Sequence, residues 1–195
     1  MAEQYQLVDP APEGPLSMHP KKFALWLFLV TVVMLFAAFT SAHIVRQAQG
    51  AWGDYELPSL FVVNTIIIVA SSIFLQLGFA AAKRDKVESL KVLMVIATLL
   101  GIGFLVGQWY AWGDMVDRGL HPQGSSISAS FFYVITLMHA LHVVAGVIYL
   151  LYMLISSFRY KVHSKNMLNM EMCSTFWHFL GGLWIYLYIF LILNH

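Results

Sequence analysis

Five long apolar runs dominate this sequence and limit what it can fold into. Each run is about 20 residues or longer, the length that an α-helix needs to cross a hydrocarbon core of about 30 Å. Within a membrane every backbone N–H and C=O group needs a partner, and an α-helix supplies all of them inside one segment. We therefore predict an all-α membrane protein, a bundle of five transmembrane helices. The predicted spans are approximately residues 23–45, 58–82, 90–112, 128–155 and 171–193.

The overall composition agrees with a membrane bundle. Of the 195 residues, 59% are hydrophobic and 11% are charged, and the mean hydropathy is +0.72. A soluble domain of this length cannot hide so much apolar surface in one core. No basic patch with interleaved aromatic residues lies outside the flanks of the spans, so we expect no nucleic-acid binding. The single Cys173 excludes a disulfide framework within the chain and a multi-cysteine metal site.

Two regions are predicted, a polar N-terminal tail over residues 1–20 and a five-helix domain over residues 21–195. The tail contains four of the six prolines, which is typical of irregular structure. No short apolar core follows a basic start, and the first long run lacks a small-residue cleavage site. We therefore expect no secretory signal, and we expect the first run to remain in the mature protein.

The distribution of Lys and Arg predicts the orientation in the membrane. Nine of these residues lie in the tail, the second loop and the fourth loop, whereas the first and third loops contain only Arg46 and Arg118. Because cytoplasmic loops carry an excess of positive charge, we predict a cytoplasmic N-terminus and a periplasmic C-terminus. The third loop, residues 113–126, is expected to be a turn-rich periplasmic connection. Trp109, Tyr110 and Trp112, just before it, are expected to form an interfacial aromatic belt.

Four histidines lie within the spans, and polar side chains in lipid need a partner or a role. His43 lies near the external end of its span, so His139, His142 and His178 are the candidates for chemistry. His139 and His142 share one helical face. At about 1.5 Å per residue, His142 lies about 20 Å from the cytoplasmic end of its span and His178 about 10 Å from that end of the next span. A haem held between two helices needs ligands at similar depth, so these positions argue against haem. The scarcity of further ligands argues against a metal.

The simplest interpretation is that the three histidines are structural. We expect them to be neutral, buried and hydrogen-bonded to neighbouring helices, with Gly146, Gly181 and Gly182 allowing close approach of the backbones. A proton relay is a further alternative, because histidine titrates near neutral pH. Such a relay needs acids, and Glu171 is the one acid near a membrane boundary. By position, Glu171 is also a first-turn acid favoured by the helix dipole.

Three segments in order resemble subunit III of haem–copper terminal oxidases, in the bacterial five-helix form of the cytochrome c oxidase subunit 3 family. They are LPSLFVVNTIIIVASS (57–72), SASFFYVITLMHALHVVAG (128–146) and EMCSTFWHFLGGLWIYLYIF (171–190), and GIGFLVGQWYAW (101–112) adds Phe104 and Gln108. The resemblance covers nearly everything after residue 20. The family-motif polar residues, with structural, lipid-contact or subunit-contact roles, are Asn64, Gln108, His139, His142, Glu171, Trp177, His178 and Trp184.

The resemblance implies a non-catalytic subunit of a proton-pumping oxygen reductase in the inner (plasma) membrane of a bacterium. In this family haem and copper are held by partner subunits I and II, so we expect no catalytic, cofactor-binding or metal-binding residue in this chain. Subunit I is the implied main contact, and subunit II belongs to the same complex. A V-shaped cleft between the helices is implied to hold phospholipid. The implied role is to stabilise subunit I, keep its proton uptake fast and protect it during turnover.

Two positions depart from the family pattern, and several alternatives stay open. Ala111 stands where many relatives carry a buried Glu, and Gly181 where an Asp is common, so proton delivery through those acids is not available here. The complex could oxidise cytochrome c or a quinol, and it could belong to a larger respiratory supercomplex. From other classes, the alternatives are a small membrane cytochrome or metal enzyme using His139, His142 and His178, and a transporter-like bundle.

Overall fold

Five α-helices make up the protein in the computed structural model, which describes residues 19–50, 57–121, 127–159 and 167–194. All five are long and apolar enough to cross a membrane. The prediction of an all-α protein with five membrane-length helices is therefore confirmed. The helices are α1 Pro20–Ala48, α2 Leu60–Lys83, α3 Val87–Asp117, α4 Ile127–Phe158 and α5 Leu168–Leu193.

The first helix begins at the end of the predicted N-terminal tail. Pro20 occupies the first turn of α1, where a missing backbone N–H costs nothing because that group would have no helical partner. His19 caps the helix, since its Nδ1 accepts a hydrogen bond from the backbone N–H of Lys21 at 3.2 Å. Residues 1–18 lie outside the described residues, so the structure of the tail stays a prediction.

Helix α3 extends well beyond its predicted span, and this corrects the prediction for the third loop. Residues 113–117, expected in that loop, continue the helix to Asp117. An ion pair between Arg118 and Asp114, at 2.9 Å, supports the last turn. Gly119 then takes a φ of +83°, a left-handed conformation that glycine adopts without strain and that commonly ends helices. An apolar run identifies only the part of a helix that lies in lipid. The same helix can continue through polar residues that hydropathy assigns to a loop.

Helices α2 to α5 form a closed ring in which each helix packs against two others. The contacts are α2 with α3, α3 with α4, α4 with α5, and α5 with α2. Helix α1 packs against α4 and α5 and lies outside the ring. Side chains that are fully buried inside the ring include Phe61, Leu75, Phe104, Trp177 and Trp184. Large apolar side chains such as Met34 and Ile66 point outward, as expected for a surface that faces lipid.

Glycines make room for bulky side chains at some positions and not at others. A Cβ on Gly101 would lie 2.8 Å from Cη2 of Trp177, and one on Gly146 would lie 3.0 Å from Cε3 of the same indole. A Cβ on Gly181 would lie 3.2 Å from Oγ of Ser72. The predicted close approach at Gly182 is not found within the part of the chain that the structure describes, since none of its atoms lies within 4 Å of a Cβ built there. Successive residues point in different directions around a helix, so Gly181 and Gly182 cannot both face α2.

Candidate functional site

Trp177 in α5 is hydrogen-bonded to α2 and packed against α3 and α4. Its indole Nε1–H donates to Oγ of Ser71 at 3.1 Å, and the Ser71 hydroxyl donates to the backbone carbonyl of Ala97 in α3 at 2.8 Å. Gly101 and Gly146 leave the space that the indole fills. One hydroxyl thus joins three helices. It also satisfies a buried N–H group that would be costly to leave unpaired in hydrocarbon.

Two further tryptophans repeat this contact between an indole and a hydroxyl. Trp184 donates from Nε1 to Oγ1 of Thr65 in α2 at 3.0 Å. Trp112 donates from Nε1 to Oγ1 of Thr136 in α4 at 3.1 Å. Each threonine hydroxyl then donates to a carbonyl one turn earlier in its own helix. We call the contacts made by Trp112, Trp177 and Trp184 the indole–hydroxyl contacts.

The aromatic belt expected at the end of α3 is divided between two environments. Trp109 and Tyr110 are 72% and 68% exposed, which suits side chains at a membrane interface. Trp112, in contrast, is half-buried and bonded to Thr136. It therefore takes part in helix packing, and its assignment to the belt stays a prediction.

His139 is buried as an aromatic ring and makes no hydrogen bond to a neighbouring helix, contrary to the prediction. Its imidazole stacks on Trp184 with a centroid distance of 5.1 Å, and the rings of Phe104 and Phe36 lie edge-on at 6.0 and 6.3 Å. No described residue is hydrogen-bonded to either ring nitrogen. Rings from three other helices therefore pack around this imidazole.

His142 contacts α1 through its ring, while its hydrogen bond stays within α4. Nδ1 lies 2.7 Å from the backbone carbonyl of Met138, and it must be the protonated nitrogen because a carbonyl only accepts. The ring lies 5.7 Å from that of Phe36 and 6.4 Å from that of Phe28, both in α1. The expected hydrogen bond from His142 to a neighbouring helix is therefore not found among the described residues.

His178 makes the kind of contact that was expected of all three histidines. Its Nε2 lies 3.0 Å from Oε1 of Gln76, and this hydrogen bond joins α5 to α2.

Glu171 lies in the first turn of α5, where the helix dipole favours an acid. Its carboxylate forms an ion pair with Lys22 of α1 at 2.7 Å, so this pair links α1 to the ring at one end. Both side chains are partly exposed, so the pair contributes little to stability.

Asn64 and Gln108 are buried in the ring. Asn64 packs against Gly107, where a Cβ would collide with the amide oxygen of Asn64. Neither polar atom of the Gln108 side chain has a hydrogen-bond partner among the described residues, and the same holds for Nδ2 of Asn64.

Ala111 and Gly181, the two departures from the family pattern, also face the interior. Ala111 is fully buried, and an Asp in place of Gly181 would press on Ser72.

The indole–hydroxyl contacts in the interior of the bundle join its helices to one another. Within the described ranges, no group of three or more His, Cys, Asp or Glu side chains could hold a metal ion. Ser71, Thr65 and Thr136 accept the hydrogen bonds from the three indoles. These hydroxyl partners were not identified from the sequence. The available signal was that a buried indole needs an acceptor, but sequence does not show which hydroxyl faces which ring. Fold and contacts define a multi-pass helical membrane protein.

Comparison with known proteins gives the family. Residues 16–194 match the family model described as cytochrome c oxidase subunit III. The cytochrome c oxidase subunit 3 of Corynebacterium diphtheriae is 32% identical over 171 residues, 84% of this chain and 82% of the relative. That of Synechocystis is 32% identical over 179 residues, 88% and 75% respectively. The cytochrome bo(3) ubiquinol oxidase subunit 3 of Pseudomonas aeruginosa is 30% identical over 168 residues, 84% and 79% respectively.

The chain belongs to the cytochrome c oxidase subunit III family. The family predicted from the sequence motifs is thereby confirmed. Family membership makes the chain a membrane-embedded subunit of an oxidase complex, and it implies partner subunits.

Replacing Ser71 by Ala tests the contact made by Trp177. The change leaves the Trp177 N–H without an acceptor and the Ala97 carbonyl without its side-chain donor, so we expect a loss of about 1–3 kcal/mol in the free energy of unfolding. Unfolding of the purified chain in detergent, followed by helical ellipticity, measures this loss. Ser72→Ala is the matched control, because no described residue is hydrogen-bonded to the Ser72 hydroxyl. Equal stability of the two variants would contradict the role given to Ser71.

Proposed function

We propose that this chain is the non-catalytic subunit III of a proton-pumping haem–copper oxygen reductase of the cytochrome c oxidase type. It stabilises the haem-bearing subunit I and supports proton uptake there, while haem and copper are held by partner subunits I and II. The family model supports this role, because it matches nearly the whole chain. The contacts in the interior of the bundle give further support.

The surroundings of the buried histidine are the observation that carries the proposal. His139 has aromatic rings from α1, α3 and α5 around it, which serve packing rather than ligation. His142 uses Nδ1 on its own helix, and His178 uses Nε2 on Gln76. The three imidazoles therefore do not converge on one point. This arrangement favours a supporting subunit over the alternative of a small membrane cytochrome or metal enzyme.

The roles of the family-motif residues follow from these contacts. Trp177, Trp184, Asn64, Gln108 and His139 act as packing and internal polar groups of the ring. Glu171 and His142 contact α1, through a partly exposed ion pair and through ring contacts respectively. In this proposal all of them act on the shape of the subunit, and none touches a reacting atom.

Phospholipid is the proposed small-molecule partner. Helix α1 leaves the faces of α2 and α3 uncovered, because it packs against α4 and α5. Its own outer face carries exposed apolar side chains, among them Trp26, Leu27 and Met34. Acyl chains suit such surfaces, and a cleft beside α1 is the proposed place for them. A larger respiratory supercomplex is compatible with the proposal, and no contact that we describe bears on it.

A quinol oxidase is the second candidate. The relative from Pseudomonas aeruginosa carries that name and is 30% identical, close to the 32% of the two relatives named as cytochrome c oxidase subunits. The residues described above do not distinguish the electron donors, because none of them is proposed to meet a donor. Oxidation of reduced cytochrome c compared with that of a quinol by the purified complex decides between the two.

Purification of the tagged chain from its native membrane in mild detergent tests the supporting role. We expect a larger haem-bearing subunit to be recovered with it. We also expect a Soret band in the complex that is absent from the chain once it is separated. A separated chain that keeps its own Soret band or a bound metal would contradict the proposal and support the alternative based on the histidines.

The proposed location is the inner membrane of a bacterium, with the N-terminus in the cytoplasm. The relatives named above are bacterial. The Lys and Arg residues support the orientation, because the turn between α2 and α3 holds Lys83, Arg84 and Lys86 at one end of the ring. Lys22, at the start of α1, adds to the positive charge assigned to the cytoplasmic side.

Labelling of single cysteines tests this orientation. The native Cys173 is buried, so it gives little background. Gln49→Cys and Lys86→Cys place a thiol at exposed positions, at the end of α1 and before α3 respectively. On spheroplasts, a membrane-impermeant maleimide is expected to label Gln49→Cys directly and Lys86→Cys only after permeabilisation. The reverse pattern would show the opposite orientation.

A further inference from the structure

Three polar side chains are buried inside the ring without hydrogen-bond partners for most of their polar atoms. Asn64 in α2, Gln108 in α3 and His139 in α4 are each 1% exposed. Among the described residues, no partner is found for Nδ2 of Asn64, for either polar atom of Gln108 or for either ring nitrogen of His139. Buried polar groups are nearly always paired with protein atoms or with ordered water, because an unpaired one is costly in an apolar interior. These five atoms therefore need a partner.

Helices α3 and α4 run antiparallel in a register that two contacts define. Trp112 in α3 is hydrogen-bonded to Thr136 in α4. Eleven residues earlier in α3, a Cβ on Gly101 would lie 3.4 Å from Cγ2 of Val147, which lies eleven residues later in α4. Both contacts give the same alignment, in which each step forward along α3 is matched by a step backward along α4.

This register brings the three side chains to one level of the ring. Gln108 stands opposite Ala140, the neighbour of His139 in α4. On the adjoining helix α2, Asn64 packs against Gly107, the neighbour of Gln108. Since each helical residue advances about 1.5 Å, the three side chains lie within about one turn of one another along the axis of the bundle. Their burial shows that all three point into the ring.

The unpaired atoms include both donors and acceptors. The amide of Gln108 offers two N–H groups and a carbonyl oxygen, and a neutral imidazole offers one N–H and one acceptor nitrogen. Trp184 stacks on the imidazole of His139 at a centroid distance of 5.1 Å. This contact covers a face of the ring and not the edge that carries its nitrogens.

Water is the ligand that matches this mixture of groups. A cation would meet the N–H groups of the amides, and an anion would meet the oxygen of Gln108 and the acceptor nitrogen of His139. A water molecule both donates and accepts, and a buried water typically makes about three hydrogen bonds to otherwise unpaired polar groups.

We propose that Gln108 and His139 bind an internal water molecule at this level of the ring, with the amide N–H of Asn64 as a third contact. The site is additional to the proposed function and does not depend on the complex that the chain joins. It gives His139 a role that agrees with both of its features. The imidazole packs among aromatic side chains, and its nitrogens hold the water.

Nuclear magnetic resonance of the purified chain in detergent detects the water directly. We expect a through-space signal from water protons to the side-chain amide protons of Gln108, although this amide is buried. His139→Phe keeps an aromatic ring and removes both nitrogens, so it is expected to weaken that signal. Ser71→Ala is the control and is expected to leave the signal unchanged. Ser71 is bonded to Ala97, which lies about 16 Å along α3 from Gln108.

Thermal unfolding of the same chain gives an independent test. Gln108→Met keeps a side chain of similar length and helix propensity without the amide. It leaves the water and His139 short of a partner, so we expect the midpoint of unfolding to fall by about 2–4 °C. Adding His139→Phe is expected to cost less than its separate effect, because both changes act on one water. Gln108→Met combined with Ser71→Ala is the control pair, and the two effects are expected to add.

Three results would overturn the water site. The first is the absence of a water signal at the Gln108 amide. The second is a signal from that amide to the imidazole of His139 and none to water, which would show that the two side chains are bonded directly. The third is a higher midpoint of unfolding for Gln108→Met, since replacing an amide that stays unpaired relieves its cost. If His139→Phe does not fold, the water signal of the unaltered chain and the midpoint of Gln108→Met decide the outcome.

Discussion

The packing of the Trp177 indole between four helices is the contact on which the shape of the bundle depends. A membrane offers no hydrophobic force to bring helices together, so association depends on close packing and on polar bonds between helices. Trp177 supplies both, because its ring fills the space beside Gly101 and Gly146 and its N–H bonds to Ser71. Ser71 then bonds to α3, so α2, α3, α4 and α5 all meet this one side chain or its partner. Trp184 and Trp112 repeat the contact at other points of the ring.

The sequence predicts the helices well because the thickness of a bilayer sets their length. The five apolar runs match five helices, whereas the helix ends do not follow hydropathy, as the last turns of α3 show. Side-chain partners are harder to predict, because they depend on the rotation of each helix about its own axis. His139 illustrates this, since its polarity indicated a hydrogen bond and its surroundings instead make it one ring among Trp184, Phe104 and Phe36. His178 and Glu171 lie at the edges of the packing, and for them polar partners are found.

In the proposed function the chain belongs to a redox complex and the redox step takes place in partner subunits, and the arrangement of its polar groups agrees with this. His142 and His178 are hydrogen-bonded to different partners, and His139 is enclosed by aromatic rings. Contacts between helices hold the ring together, while α1 meets it through packing, through the Glu171–Lys22 ion pair and through the rings around His142. A ring of helices joined in this way is suited to supporting a neighbour. In this account the chemistry belongs to that neighbour, and the subunit contributes a shaped apolar surface.

The most direct measurement is oxygen consumption over time by the purified oxidase with and without this chain. If the chain supports subunit I, the complex depleted of it keeps its haem absorbance and its initial ability to reduce oxygen, but it loses activity during turnover. Restoring the chain before turnover prevents that loss. The account would be contradicted if removal of the chain took haem absorbance with it, or if the depleted complex stayed as active during turnover as the intact one.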